Sequence, residues 1–317
     1  MIALNAGQST PRRVNSWKTR PERRPGLSLL ELVIVLGLLA VLAATAIRSL
    51  QPVADQGRYE STRKLIEDCR VAIAGDADLR DAGGSLLIHG VIADCGYLPS
   101  DAEALANAAP PGVIQPFASY SFDSDNDGIN DVTLNGGWNG PYLNLGVGRS
   151  AVTDGWGRPL DFQNISGAIT ILSLGSDGVS GGTNGYEQDL FDTILATDYL
   201  GSVVFRLFDI DPITGGRIDP VLGVGEKLGV QLYGVNAANV DNQGAVERQF
   251  LHMSDLVNYE VRRGDTLHGT IAARGLWWDD ANNDNIFDSG EAVVRKTRVY
   301  YVTVLANRER RVEMELR

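Results

Sequence analysis

One stretch constrains this chain more than any other. Residues Leu27 to Ile47 read LSLLELVIVLGLLAVLAATAI, with Glu31 as the one charge. Coiled as a helix at ~1.5 Å per residue, they reach about 31 Å, enough to cross the hydrocarbon of a bilayer. The sequence therefore predicts a transmembrane helix over 27–48 ahead of a water-soluble body. Six of the 28 Lys and Arg (Arg12, Arg13, Lys18, Arg20, Arg23 and Arg24) precede Gly26, where the one acid is Glu22. That cationic flank keeps the N-terminus cytoplasmic and sends everything beyond Arg48 across the membrane.

The remainder is strongly acidic: 22 basic against 39 acidic residues, a net of -17. Such a body repels phosphate backbones and attracts divalent cations, so no nucleic-acid partner is expected. The two cysteines, Cys69 and Cys95, are too few for a disulfide scaffold and lack zinc spacing. Outside the cytoplasm they leave two readings, a single bridge or two buried thiols.

A secretory signal ends in a small-residue cleavage site after its apolar core, whereas this polar leader ends at Gly26, before the apolar run begins. Arg24-Pro25-Gly26 followed by LSLLELVIVLGLLAVLAATAI resembles the class III leader and N-terminal helix of type IV pilins and type II secretion pseudopilins. The resemblance implies a leader over 1–26, cleavage by prepilin peptidase between Gly26 and Leu27, and N-methylation of Leu27. It departs from the family at Leu27, where Phe is usual, and at Pro25. It also implies single-pass insertion in the inner membrane, with globular parts in the periplasm or on the cell surface. A carboxyl one turn into a membrane helix is costly unless neutralised. By resemblance, Glu31 pairs with the freed amine of a neighbouring subunit as the filament assembles.

Beyond Pro52, which removes a helical donor, Tyr59, Thr62, Ile66, Cys69, Ile73 and Ala77 recur at three- and four-residue intervals between charged positions. This is an amphipathic helix extending over 49–81 and ended by Asp81-Ala82-Gly83-Gly84. A first globular module follows over 82–199. Its segments GPYL, DGWGRPLDF and LGSDGVSGGTNGYEQDL resemble the body of the major type II pseudopilin. The resemblance implies a pilin fold, in which the long helix packs on an antiparallel sheet. It also implies a calcium loop using Asp177, Glu187 and Asp189, with Leu174 as a carbonyl donor.

Two further loops carry metal-ligand spacing on their own residues. Asp123, Asp125, Asp127 and Asp131 occupy positions 1, 3, 5 and 9 of an EF-hand-like loop, with Gly128 at 6 and Leu134 in place of the Glu expected at 12. Asp280, Asn282, Asp284, Asp288 and Glu291 occupy positions 1, 3, 5, 9 and 12 of another. Asn285 stands at its position 6, where Asn tolerates the left-handed backbone. Ca2+ is the cofactor these hard oxygen donors fit; the bland alternative is a solvated acidic turn.

Over 200–317, short β-type runs between Gly, Asp and Asn turns predict a β-sandwich-like domain, and an α+β class for the whole. The run WWDDANNDNIFDSGEAVV resembles calcium-loop sandwich repeats of bacterial surface proteins. Trp277 and Trp278 are read as core or sheet packing in preference to an exposed binding ridge. His89, His252 and His268 lie in unrelated contexts, and no catalytic motif occurs, so no enzymatic activity is expected. The expectation is a structural subunit of a type II secretion pseudopilus or type IV pilus-like filament, whose partners are other pilin or pseudopilin subunits, prepilin peptidase and the inner membrane. The alternative is a minor pilin or tip adhesin whose C-terminal domain binds a ligand.

Overall fold

The computed structural model describes residues 28–76, 78–80, 82, 87–106, 114–145, 151–183, 185–235, 245–288 and 290–317, the side chains of 45–50 excepted. The processing pair Gly26 and Leu27 lies outside the described residues. The chain divides into two compact units, Met1–Val53 and Ala54–Arg317.

Helix α1 runs Leu29–Ala74, with Pro52 inside it. Ser28 caps its start: the Ser28 hydroxyl accepts the Glu31 N–H at 3.1 Å, which makes Glu31 the third helical residue. There a carboxylate also complements the positive end of the helix dipole. In the first unit, large apolar side chains from Leu29 to Leu42 are exposed, Leu29 by 82%. Among the described residues, no helix is long and apolar enough to cross a membrane. The span predicted from the sequence starts at Leu27 and passes through 45–50, so both its ends fall outside that description.

In the second unit, the predicted stripe is the buried one. Thr62, Ile66, Cys69 and Ile73 are all buried, while Ala77 lies outside the described residues. The helix ends at Ala74, earlier than the predicted Asp81. Gly75 takes the left-handed conformation (φ 78°) and its N–H returns to the Val71 carbonyl at 2.7 Å, an ordinary glycine stop. A Cβ on Gly75 would sit 2.3 Å from the His89 carbonyl oxygen, so this stop is also where two backbone segments touch.

The stripe packs on the antiparallel sheet β3 (Asp161–Ile165), β4 (Ala168–Ser173) and β5 (Leu190–Ile194). Ile66, Cys69 and Ile73 share one cluster with Ile169, Ile171 and Ile194, and with Val91, Ile92 and Cys95 of α2 (Val91–Cys95). Ser166 and Gly167, both at positive φ, make the two-residue turn joining β3 to β4. Two polar clasps fix the helix to this sheet module. Gly155 of the DGWG turn donates to the Thr62 hydroxyl at 2.8 Å, and Arg70 binds Asp192 and Asp198 at 3.2 and 2.9 Å. Both cysteines are free and buried in this core, and burial pushes both thiols up to about 12. Of the two readings left by the sequence, this structure carries the pair as buried thiols.

From Leu200 onward the chain is β-rich. β6 (Leu200–Ile210), β10 (Glu260–Leu267) and β14 (Glu309–Glu315) form one sheet in the order β10-β6-β14, with β7 (Arg217–Ile218) beside β6. β8 (Glu226–Val235), β9 (Val246–His252), β11 (Gly269–Asp279), β12 (Val293–Lys296) and β13 (Tyr300–Val304) form another, ordered β12-β11-β8-β9 with β13 on β11. Their inner faces meet in a single cluster containing Val203, Phe205, Val230, Ile271, Val302 and Met314. This is the sandwich expected from the pattern of short strands, although β14 joins β6 in parallel.

Strand β11 decides where the acidic loops go. Ile271, Ala273 and Trp277 face the sandwich interior, so period-two alternation turns Ala272, Arg274, Leu276 and Trp278 outward. That outer face is covered. The hairpin β1 (Ala118–Phe122) and β2 (Val132–Gly136) lays Val132 and Leu134 over Ala272 and Tyr233, and Phe287 closes on Leu276 and Trp278. Burial of side chains such as Val132 and Trp278 stabilises this cover by roughly 1.5–3 kcal/mol each. A hairpin assigned by sequence to the first module thus packs across residue 200, onto the sandwich.

Candidate metal centre

The first acidic loop is the tip of the β1–β2 hairpin. Phe122 pairs with Val132, and the Asp131 N–H closes the loop onto the Phe122 carbonyl at 2.9 Å. The Asp123 carboxylate accepts the N–H groups of Asp127 and Gly128 at 3.1 and 2.6 Å, and Asp127 accepts that of Ile129 at 2.9 Å. Asn126 and Gly128 adopt φ of 56° and 89°. These turns gather Asp123, Asp125 and Asp127 until one carboxylate oxygen from each lies within 4.8 Å of the others. Among the described residues, no other group of acids, thiols or imidazoles converges in this way.

The 280–291 loop joins β11 to β12, and its first seven positions repeat the hydrogen bonds of the first loop. Asp280 accepts the N–H groups of Asp284 and Asn285 at 3.2 and 3.1 Å, and Asp284 accepts that of Ile286 at 2.8 Å. Asn283 and Asn285 sit at φ of 57° and 62°, so Asn285 does supply the left-handed residue that Gly128 supplies in the first loop. Both loops therefore connect antiparallel strands, not helices.

What neutralises the carboxylates differs. In the first loop Arg274, with its side chain 7% exposed, pairs with Asp131 and lies 3.5 Å from Asp125, while its Nε donates to the Thr297 carbonyl at 3.1 Å. Lys296 pairs with Asp125 and reaches Asp127 at 3.3 Å. Asp131, expected as a ligand at position 9, is thus turned to Arg274. Leu134, at position 12, is buried under the hairpin. The Ile129 N–H, and secondarily Lys296, hold the Asp127 carboxyl below its ordinary range. In the second loop no Lys or Arg lies within ion-pair distance of Asp280, Asp284, Asp288 or Glu291 among the described residues. The Asn282 amide instead donates to Asp284 and Asp288 at 3.1 and 3.2 Å, and Glu291 accepts the Asp288 N–H at 3.0 Å.

The third predicted set does not gather. Asp177 accepts the Val179 N–H at 3.0 Å, Asp189 that of Gly181 at 2.9 Å, and the Leu174 carbonyl that of Gly178 at 3.1 Å. Glu187 lies in a short 3-10 turn, Gly185–Glu187. Arg158 of the DGWGRP segment fills the loop from behind, donating to the Gly175 and Ser176 carbonyls. Sequence reasoning missed Arg158, Arg274 and Lys296, three cations bonded to these loops.

One further observation joins all three. Among the described residues, the buried carboxylate oxygens without a hydrogen-bond partner are Asp125 Oδ1, Asp189 Oδ1 and Glu291 Oε1, one in each loop. Buried acceptors are nearly always satisfied, so each of these is an oxygen still open to a donor or a cation. Hard carboxylate and amide oxygens on this spacing fit calcium, and the residues present accommodate it.

Elsewhere, Trp277 and Trp278 are buried as core, and Trp277 donates to Glu226 at 2.9 Å. His89 lies 3.9 Å from Asp94, His252 packs edge-on to Trp278, and His268 is buried with Nε2 unpartnered. A cavity of about 730 Å³ is lined by Tyr97, Tyr199, Tyr233, Arg248, Arg263 and Asp265 among others, and by none of the histidines.

The described residues thus define a β-rich α+β protein with paired acidic hairpin tips. No family model matches the chain, and no curated protein matches it. Among solved structures a streptococcal ancillary pilin is similar over 50% of this chain and 50% of that chain, at 10% identity and a TM-score of 0.20. The chain therefore aligns with only half the length of that pilin, and a likeness at this level defines neither a shared fold nor a shared function.

Proposed function

We propose that this chain is a non-enzymatic structural subunit of a membrane-anchored, pilus-like filament, with a body stiffened by calcium. The observation that carries the reading is α1 itself. Its first part presents exposed apolar side chains from Leu29 to Leu42, and its later part is buried on an antiparallel sheet. An apolar surface of that length calls for lipid or for copies of the same helix. Glu31 would meet the freed amine of Leu27 on a neighbouring subunit. Cleavage after Gly26 by prepilin peptidase, methylation of Leu27 and placement of the body outside the inner membrane follow from the leader's resemblance to pseudopilins and pilins. Calcium would be held by Asp123, Asp125 and Asp127 in one loop and by Asp280, Asn282, Asp284, Asp288 and Glu291 in the other. Its chemistry there is to neutralise and crosslink carboxylates, fixing each hairpin tip.

Mass spectrometry of the mature N-terminus from native membranes, with and without prepilin peptidase, tests the reading. A chain starting at Leu27 only when the peptidase is present supports it. An intact leader on a chain recovered from the soluble fraction ends it.

A further inference from the structure

We propose that the Lys296 ammonium is a tethered competitor for calcium in the first loop, so that the ion enters 123–131 only by displacing it. This rests on the reading of 123–131 as a calcium loop, and goes beyond it by assigning how that site is regulated. Lys296 stands in β12 and inserts its ammonium between Asp125 and Asp127, two of the three acids that converge. It occupies the place of a cation without completing one. The Asp125 side chain is 2% exposed, yet its Oδ1 has no partner, so one buried acceptor stays unsatisfied with the lysine in place. A compact monovalent head carries three N–H donors, whereas a calcium ion carries twice the charge and takes six to eight oxygens.

Arg274 cannot play this part. Its side chain is 7% exposed and held on several sides, by the Thr297 carbonyl, the Ser124 hydroxyl and Asp131. Lys296 is 39% exposed on a flexible stem, so its ammonium can turn out to water once another cation takes over Asp125. A cavity of about 400 Å³, lined by Asp125, Asp127, Glu291, Lys296 and Arg317, opens beside it and gives the chain room to swing. Charge agrees: once Lys296 has left, Arg274 alone faces four aspartates, a strongly negative loop that draws a divalent ion. Among the described residues the second loop holds no such lysine, so displacement weakens the first site only. The body then carries one tighter and one weaker calcium site.

Calorimetric titration of calcium into the full chain in detergent tests this, using an Asp284→Asn background to suppress the second loop. Lys296→Met is expected to tighten the remaining site by at least about tenfold and to lower the calcium-free melting temperature, while Lys296→Arg stays near the parent. Equal affinity in the parent and Lys296→Met would leave the loop a calcium site and remove the competitor. An absence of binding in both, matched by Asp125→Asn, would remove the calcium reading and the competitor together. A measurement on the unaltered chain guards against misfolded variants: acylation of Lys296, followed by mass spectrometry, should speed up severalfold when calcium is added. A rate that calcium does not change overturns the proposal.

Discussion

At 123–131 the carboxylates lean on Arg274 and Lys296, whereas at 280–291 four acids and Asn282 are met, among the described residues, by one another and by backbone N–H groups. Through their first six positions the backbones are alike, down to the residue that takes the left-handed turn. The comparison teaches that a ligand spacing specifies a loop's shape, and that the strand beneath it specifies the loop's charge. β11 supplies both parts of the contrast: Arg274 beneath the first loop, and Asp279 leading directly into the second.

The sharpest way to break this comparison is Arg274→Met. The change leaves the buried Asp125 without the guanidinium beside it and Asp131 without its partner, and should destabilise the protein by about 3 to 5 kcal/mol. Chemical denaturation would show it, and added calcium should recover part of the loss if the first loop binds metal. Asn282→Ala in the other loop, which removes no charge partner, should cost much less. Equal losses would mean that the cations beneath the first loop do not distinguish it from the second.

Acid is a tempting way to titrate the loops against each other, and His268 determines where that works. It is 4% exposed and burial holds its pKa down at about 4, against an ordinary 6.5. Between those values the unfolded chain binds the extra proton, so the contribution is complete above pH 6.5 and is lost as the pH falls toward 4. The loss is on the order of 3 kcal/mol. His268→Leu should flatten stability across that window without touching either loop. Acid effects that survive the substitution come from other groups, His252 among them, whose pKa burial also holds down.

Asn285→Gly should stabilise the second loop by about 0.5 to 1 kcal/mol, since glycine takes φ of 62° without strain. Gly128→Ala, at φ of 89° with open space around the new methyl, should destabilise the first by about 1 kcal/mol. Melting curves of the pair would move in opposite directions. Shifts of the same sign would show that the two turns are not equivalent.

Much of this was legible from local pattern. The stripe Thr62, Ile66, Cys69 and Ile73 is a period-3.6 signal that burial by the sheet reproduces, and the 1-3-5 carboxylate spacing encodes its own hydrogen bonds. What stayed hidden was contact between distant residues. Nothing near Asp125 announces Lys296, 171 positions away. A faint signal did exist for Arg274: one charge inside IAARGLWW, a run too apolar to leave an arginine in water, had to be met by an acid. The helix stop was misplaced because Gly75 reads as one more small residue in an apolar run, until its contact with His89 is known. The sandwich boundary was drawn by sequence order, and the β1–β2 hairpin crosses it because the outer face of β11 is too apolar to stay bare.

The clasps on α1 also set an order of events for the newborn chain. Thr62 waits 93 residues for Gly155, and Arg70 waits 122 for Asp192. The helix is made early, yet its greasy edge stays uncovered until the isoleucines of β4 and β5 have been synthesised. Contacts this distant in sequence slow folding and lengthen the exposure of sticky surface. The segment from Thr62 to Ala74 is therefore where a stalled or truncated polypeptide would first clump.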